Sequence, residues 1–101
     1  MNMENLEERI RWQQDVIRST KAELRSISDR LQQAQADHKH KQTIESAAWL
    51  AHLRGYERST RQMLHAQEES LRTLTMRREY ELEKEPVHGV SDAGLDAKDL
   101  P

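Results

Sequence analysis

The chain has 101 residues, no Cys, no Phe and only four aromatic side chains, and about a third of its residues are charged in both signs, for a net of −2. That fits one domain at most, without a disulfide framework or thiolate metal site and with too little bulk for a large globular core. The near-neutral balance does not suggest a dedicated nucleic-acid binder, which is normally clearly basic, and makes a small RNA- or DNA-binding bundle using arginine stripes the least favoured reading.

The first element is a long helix. Asn2 or Asn5 can cap it, and Glu4, Glu7 and Glu8 sit well near its positive end. Leu6, Ile10, Gln13, Ile17, Thr20, Leu24, Ile27, Leu31 and Ala34 follow at alternating spacings of four and three, an unbroken heptad seam. The helix is expected over about 3–38. The cations of His38, Lys39, His40 and Lys41 suit its last turn, where they meet free carbonyls.

The polar run Asp37–Thr43 breaks the register. Continued past it, the seam would land on Lys41, Glu45, Ala48, His52, Gly55, Ser59, Gln62 and Ala66, which cannot hold a coiled coil. Reflected about Gln42, it lands on Leu50, Leu53, Glu57, Thr60, Leu64, Gln67, Leu71 and Leu74. The layers then pair Ile10 with Leu74, Gln13 with Leu71, Ile17 with Gln67, Thr20 with Leu64, Leu24 with Thr60, Ile27 with Glu57, Leu31 with Leu53 and Ala34 with Leu50. Each layer keeps an aliphatic residue. The expected fold is therefore all-α, an antiparallel two-helix coiled-coil hairpin. Heptads mirror about several centres, so the turn is placed over about 39–43, to within roughly one helical turn.

Thr43 can cap the second helix, expected over about 44–84, with Glu45 in its first turn. Gly55 inside it costs roughly 1 kcal/mol relative to Ala and points to a local bend or a close contact. Pro86 is expected to end it. Residues 1–84 carry 15 Lys and Arg against 14 Asp and Glu, whereas residues 85–101 carry one Lys and four acids with two Gly and two Pro. The tail is accordingly expected to be disordered. No apolar run reaches membrane-spanning length, and the N-terminal residues lack a signal-peptide core. A cytoplasmic protein without membrane insertion is expected.

No constellation of residues carries catalysis. His38 and His40 at i,i+2 point to different sides of a helix, with no thiol or carboxylate cluster to complete a metal site. His65 with Glu68 and Glu69 reads as surface charge. There is no nucleophile elbow and no glycine-rich phosphate loop. Neither an enzyme nor a cofactor is expected.

A second stripe carries more. Trp49, Tyr56 and Met63 recur every seven residues, one position before the seam residues Leu50, Glu57 and Leu64. Two alternatives stay open. The stripe can wrap the edge of the seam, with Tyr56 taking the place of Glu57. It can instead dock another chain, since Trp, Tyr and Met are favoured at interfaces, with Trp12 and Val16 extending the surface. Arg54, Arg58 and Arg61, followed by His65 and Arg72, form a basic stripe beside it. Such stripes are usually solvated, but they also suit an oppositely charged partner. The candidate partner-binding residues are thus Trp49, Leu50, Tyr56, Met63, Arg54, Arg58 and Arg61.

The stretch Trp49-Leu50-Ala51-His52-Leu53-Arg54-Gly55-Tyr56, followed by Glu57, Leu64, His65 and Leu71, resembles the corresponding helix of the FliJ/YscO-like family. These are the small stalk proteins of flagellar and type III secretion export machines. The resemblance implies a non-enzymatic hairpin that inserts into a hexameric export ATPase, links it to the export gate and handles empty chaperones. It would place residues around Leu6–Gln14 and Leu74–Glu83 at the ATPase-facing end. Trp49, Tyr56 and the turn would make the distal contacts. The alternative is a self-associating scaffold or regulatory protein, a homodimer in which two hairpins form a four-helix bundle around the Trp49–Tyr56–Met63 stripe.

Overall fold

In the computed structural model, two helices lie antiparallel. The structure describes residues 3–90, with side chains described for residues 3–84. Helix α1 spans Met3–Lys41 and α2 spans Ile44–Val90, packed along their length into a rod of 78 × 20 × 17 Å. The expected hairpin is the observed one.

The heptad seam dictates which side of each helix is hidden. The buried residues of α1 are Leu6, Ile10, Gln13, Ile17, Thr20, Ile27, Leu31 and Ala34. On α2, Leu50, Leu53, Thr60 and Leu74 are buried, while Glu57, Leu64, Gln67 and Leu71 are half-buried between them. These are the reflected positions. Ala34 and Leu50 share one apolar cluster with Ile27, Leu31 and Leu53. Leu6, Ile10 and Leu74 share another, with Met3 and Leu71 against it. His38 Nδ1 and Ser46 Oγ lie 2.7 Å apart across the turn. Facing residue numbers therefore add to about 84, as reflection about Gln42 requires.

Only Gln42 and Thr43 separate the helices, so α1 runs three residues past its expected end. Gln42 adopts a φ of 52°. Its amide donates to the His38 carbonyl at 2.8 Å, closing α1 with a left-handed cap. Thr43 then caps α2. Its Oγ1 accepts from the Ser46 amide at 3.0 Å, and Ser46 Oγ accepts from the Thr43 amide at 3.0 Å, a reciprocal box with Ser in the usual place of Glu. Short closure is what makes the reflection hold one layer from the turn.

Polar seam residues are handled in two ways. The hydroxyls of Thr20 and Thr60 donate back to the carbonyls of Val16 and Tyr56, at 3.0 and 2.8 Å, so both are satisfied within their own helix. Gln67 differs: its side-chain Oε1 is buried and accepts no hydrogen bond. These residues, with Gln13, divide the two apolar clusters from each other.

Helix α2 continues past Lys84 and through Pro86 to Val90, so Pro86 does not end it. Proline removes the bond its own nitrogen would make but leaves the other bonds of the turn. The expected tail falls largely on residues 91–101, which lie outside the described residues.

At Gly55 a Cβ would meet nothing within 4 Å, so no close contact within the chain explains the glycine. Gly55→Ala should therefore raise stability by about 1 kcal/mol through helix propensity and a less flexible unfolded chain. A thermal melt monitored at a helical wavelength checks this. An unchanged or lowered midpoint would mean that the position is under a constraint beyond helix propensity.

Candidate interaction surface

Two helices cover each other along one seam, and the rest of each faces outward. The residues flanking the seam fall on two sides of the rod, both partly charged, of which one carries the aromatic side chains. Residues one place before the seam lie on one side: Arg9, Val16, Glu23, Arg30 and Asp37 from α1, and Trp49, Tyr56, Met63, Ser70 and Arg77 from α2. The Tyr56 hydroxyl donates to Glu23 Oε2 across the helices on this side. Residues one place after the seam lie on the other side, where Lys21 Nζ is 4.0 Å from Glu68 Oε2.

The first side is the aromatic one. Trp49 is 52% exposed, Tyr56 37% and Met63 46%, and Trp12 on α1 is 65% exposed. Trp49 stacks on His52 with ring centroids 5.5 Å apart and 24° between planes. Trp12, Val16, Met63, Ala66 and Ser70 line a shallow groove whose floor is Gln13 and Gln67. A second hollow, beside Gly55, is lined by Ala51, His52, Tyr56, Arg58 and Ser59. Small residues between large exposed ones leave this side corrugated rather than flat.

Glu23 shapes the electrostatics here. Its hydrogen bond to the Tyr56 hydroxyl, with some burial and the carboxylate's own charge, holds that phenol above its ordinary pKa, against a small opposing pull from Arg30. The phenol thus stays a neutral donor, locked across the seam. Tyr56 does not displace Glu57, which keeps its half-buried seam position.

The candidate residues are not all brought together. Leu50 is 6% exposed and belongs to the turn-side core with Ile27 and Leu53. Its side chain faces the seam and adds little to the exposed stripe. Arg54 and Arg61 flank the seam on the side opposite the aromatics, because positions before and after a heptad core face apart. Arg61 is held by Glu57 at 3.1 Å. Only Arg58 borders the aromatic side, at the Gly55 hollow. His65 and Arg72 both reach Glu69, at 3.8 and 2.6 Å, in exposed pairs; the arginine guanidinium holds the Glu69 carboxyl below its usual pKa.

Two residues that matter here escaped the sequence reading. Glu23 became visible only through its bond to Tyr56, although its heptad position, one place before Leu24, was available as a signal. Gln67 was placed in the seam, but that its carbonyl oxygen would lack a donor depends on side-chain packing.

Among the described residues, no group of three His, Asp or Glu side chains could hold a metal ion, and no helix is long and apolar enough to cross a membrane. No family model, curated protein or solved structure matches this chain.

Proposed function

We propose that this chain is a non-enzymatic stalk of an export apparatus, working in the cytoplasm and docking larger proteins through one side of its hairpin. The observation that carries the proposal is the exposure of Trp49, Tyr56 and Met63 along one side of a rod only 20 × 17 Å in section. Exposed aromatic and methionine side chains in a row suit a protein interface better than solvent. Trp49 and Tyr56 lie within the stretch that resembles FliJ/YscO-like stalks, which points to the export ATPase as the first partner to test, followed by the export gate and chaperones.

The test is a titration of the full chain against an export ATPase, the cytoplasmic part of the gate and empty secretion chaperones from the same cell. Saturable binding to at least one of them is expected. Absence of binding to all three at tens of micromolar would overturn the export-stalk proposal.

A further inference from the structure

The side of the rod away from the aromatics concentrates cations that the near-neutral total conceals. Arg18, Lys21 and Arg25 of α1 and Arg54, Arg58 and Arg61 of α2 are all exposed. Each of the six stands one place after a seam residue, so by heptad position they share one side. Arg58 lies furthest round, at the rim of the Gly55 hollow. Facing residue numbers within the hairpin add to about 84. Arg54, the nearest of the six to the turn, is therefore level with residue 30 of α1, and Arg18 is the furthest. The six fall within about 18 Å at 1.5 Å per residue.

Three of them meet acids of the chain: Arg18 meets Asp15 at 2.6 Å, Lys21 meets Glu68 at 4.0 Å and Arg61 meets Glu57 at 3.1 Å. Arg25, Arg54 and Arg58 form no ion pair with the described residues. The α1 row runs i, i+3, i+7 and the α2 row i, i+4, i+7, and the small, half-buried Ser28 keeps the floor between them low. The result is a furrow with cations along both banks. Two acids oppose an incoming anion: the half-buried Glu57, and Asp29 one turn on from Arg25.

The company these cations keep decides what they suit. No exposed aromatic or large aliphatic side chain shares the band on this side. Met76 and Leu82, the exposed ones nearest to it in character, are level with about residues 8 and 2, towards the open end. A single nucleic-acid strand would find no ring to stack on, and a lipid surface no apolar anchor. A rod of 20 × 17 Å in section is too wide for a duplex major groove of about 12 Å. Exposed ion pairs are singly weak, so a partner gains only by engaging several at fixed spacing. An α-helix laid along the rod does so, because its residues at i, i+3 or i+4 and i+7 share a face and rise in step with both rows. Arginine, five of the six, presents a planar fork that matches a carboxylate.

We propose that this side of the rod docks an acidic α-helix of another protein, one with Glu or Asp at i, i+3 or i+4 and i+7, laid in the furrow between Lys21 and Arg25 of α1 and Arg54 and Arg61 of α2. The proposal is independent of the export reading. The aromatic side lies opposite, so both sides can be occupied at once.

Fluorescence anisotropy of labelled peptides titrated with the full chain tests this. The probe is an alanine-rich peptide of about 20 residues, long enough to form a helix, with its glutamates on one face at i, i+4 and i+7. The control peptide has the same composition with the glutamates spread round the helix. The striped peptide should bind at least about fivefold more tightly in about 50 mM salt and lose about tenfold or more by about 200 mM, as screening sets in. Arg25→Gln with Arg54→Gln and Arg58→Gln breaks no ion pair of the chain. It should weaken the striped peptide by about tenfold or more with helicity unchanged. Trp49→Ala with Tyr56→Ala should leave that binding as it is.

Equal binding of the two peptides overturns the proposal, since the cations then act only as a diffuse charge. So does a striped peptide that stays unbound in about 50 mM salt, or one that binds the triple variant undiminished. Loss of peptide binding in the aromatic variant would place the peptide on the other side of the rod and overturn it as well. Tighter binding of an oligonucleotide or of phosphatidylserine vesicles at the same salt would make this a phosphate-binding side instead.

Discussion

Ile27→Ala should remove half or more of the hairpin's stability at 25 °C. Ile27 is fully buried at the centre of the turn-side cluster, touching the layer of Leu31, Ala34, Leu50 and Leu53. Truncating a buried isoleucine to alanine costs about 2–5 kcal/mol, the transfer term plus the cavity left behind. A body of this size, with a seam interrupted by Gln13, Thr20, Thr60 and Gln67, sits at the low end of native stability. At about 0.05 kcal/mol per residue that is only about 4 kcal/mol in total. Chemical denaturation followed by circular dichroism, at low micromolar concentration, measures the loss. Leu82→Ala is the control: Leu82 is exposed, so its truncation should stay within about 0.5 kcal/mol. If Ile27→Ala denatures with the same midpoint as the parent chain, the turn-side cluster does not hold the hairpin.

The second large effect falls on binding. If the chain docks the proposed export partner, Trp49→Ala with Tyr56→Ala should weaken that association by more than tenfold while the helical signal stays. Both rings lie on the seam's flank, so little of the core goes with them. Aromatic anchors at the centre of an interface commonly cost about 2 kcal/mol or more when truncated. Tyr56 adds a second element, because its hydroxyl is tied to Glu23 and its ring is held in place before a partner arrives; anchors that are already ordered lose less entropy on binding. The comparison variant is Arg54→Ala with Arg61→Ala, on the opposite side of the rod. It should change salt dependence and association rate more than affinity. Equal binding by the aromatic variant and the parent would mean that the stripe only packs the seam's edge.

The hairpin was legible because its instructions are local and periodic. Nine seam positions on α1 and a run of polar residues at Asp37–Thr43 suffice to find the reflection, since a two-helix fold has one packing partner and one degree of freedom, the register. Thr43 as a cap was legible for the same reason, as a chemical preference expressed within four residues. The exact turn was less so. Gln42 in a left-handed conformation carries no glycine to announce it, and the His38–Ser46 contact that ties the turn together depends on side-chain rotamers. Of the candidate residues, the exposed flank shared by Trp49, Tyr56 and Met63 was legible from their heptad spacing, whereas the placement of the arginines was not. Arg54 and Arg61 share a helix with Trp49 and Tyr56 and stand near them in sequence. A step of five residues nevertheless carries Trp49 and Arg54 to opposite flanks of the seam. Leu50 takes the seam position that the reflected register gives it and is buried beside an exposed tryptophan, because successive helical residues turn by about 100°.

The separation of the two apolar clusters orders how the rod assembles. Ala34 and Leu50 are 16 residues apart in the chain, whereas Ile10 and Leu74 are 64 apart. Closing the shorter loop sacrifices less chain entropy, and the Thr43–Ser46 box is in place before any long-range contact. Folding should therefore start at the turn and zip outward, crossing the polar stretch of Thr20, Thr60, Gln13 and Gln67 before the far cluster is rewarded. In kinetic terms, truncation of Leu50 should slow folding, with a φ-value above about 0.5, while truncation of Leu74 should speed unfolding, with a φ-value near zero. The reverse pattern in stopped-flow measurements would place the nucleus at the open end. A zipper of this kind opens from the end away from the turn, so the paired termini of the rod are where it first yields to heat or to a pulling load.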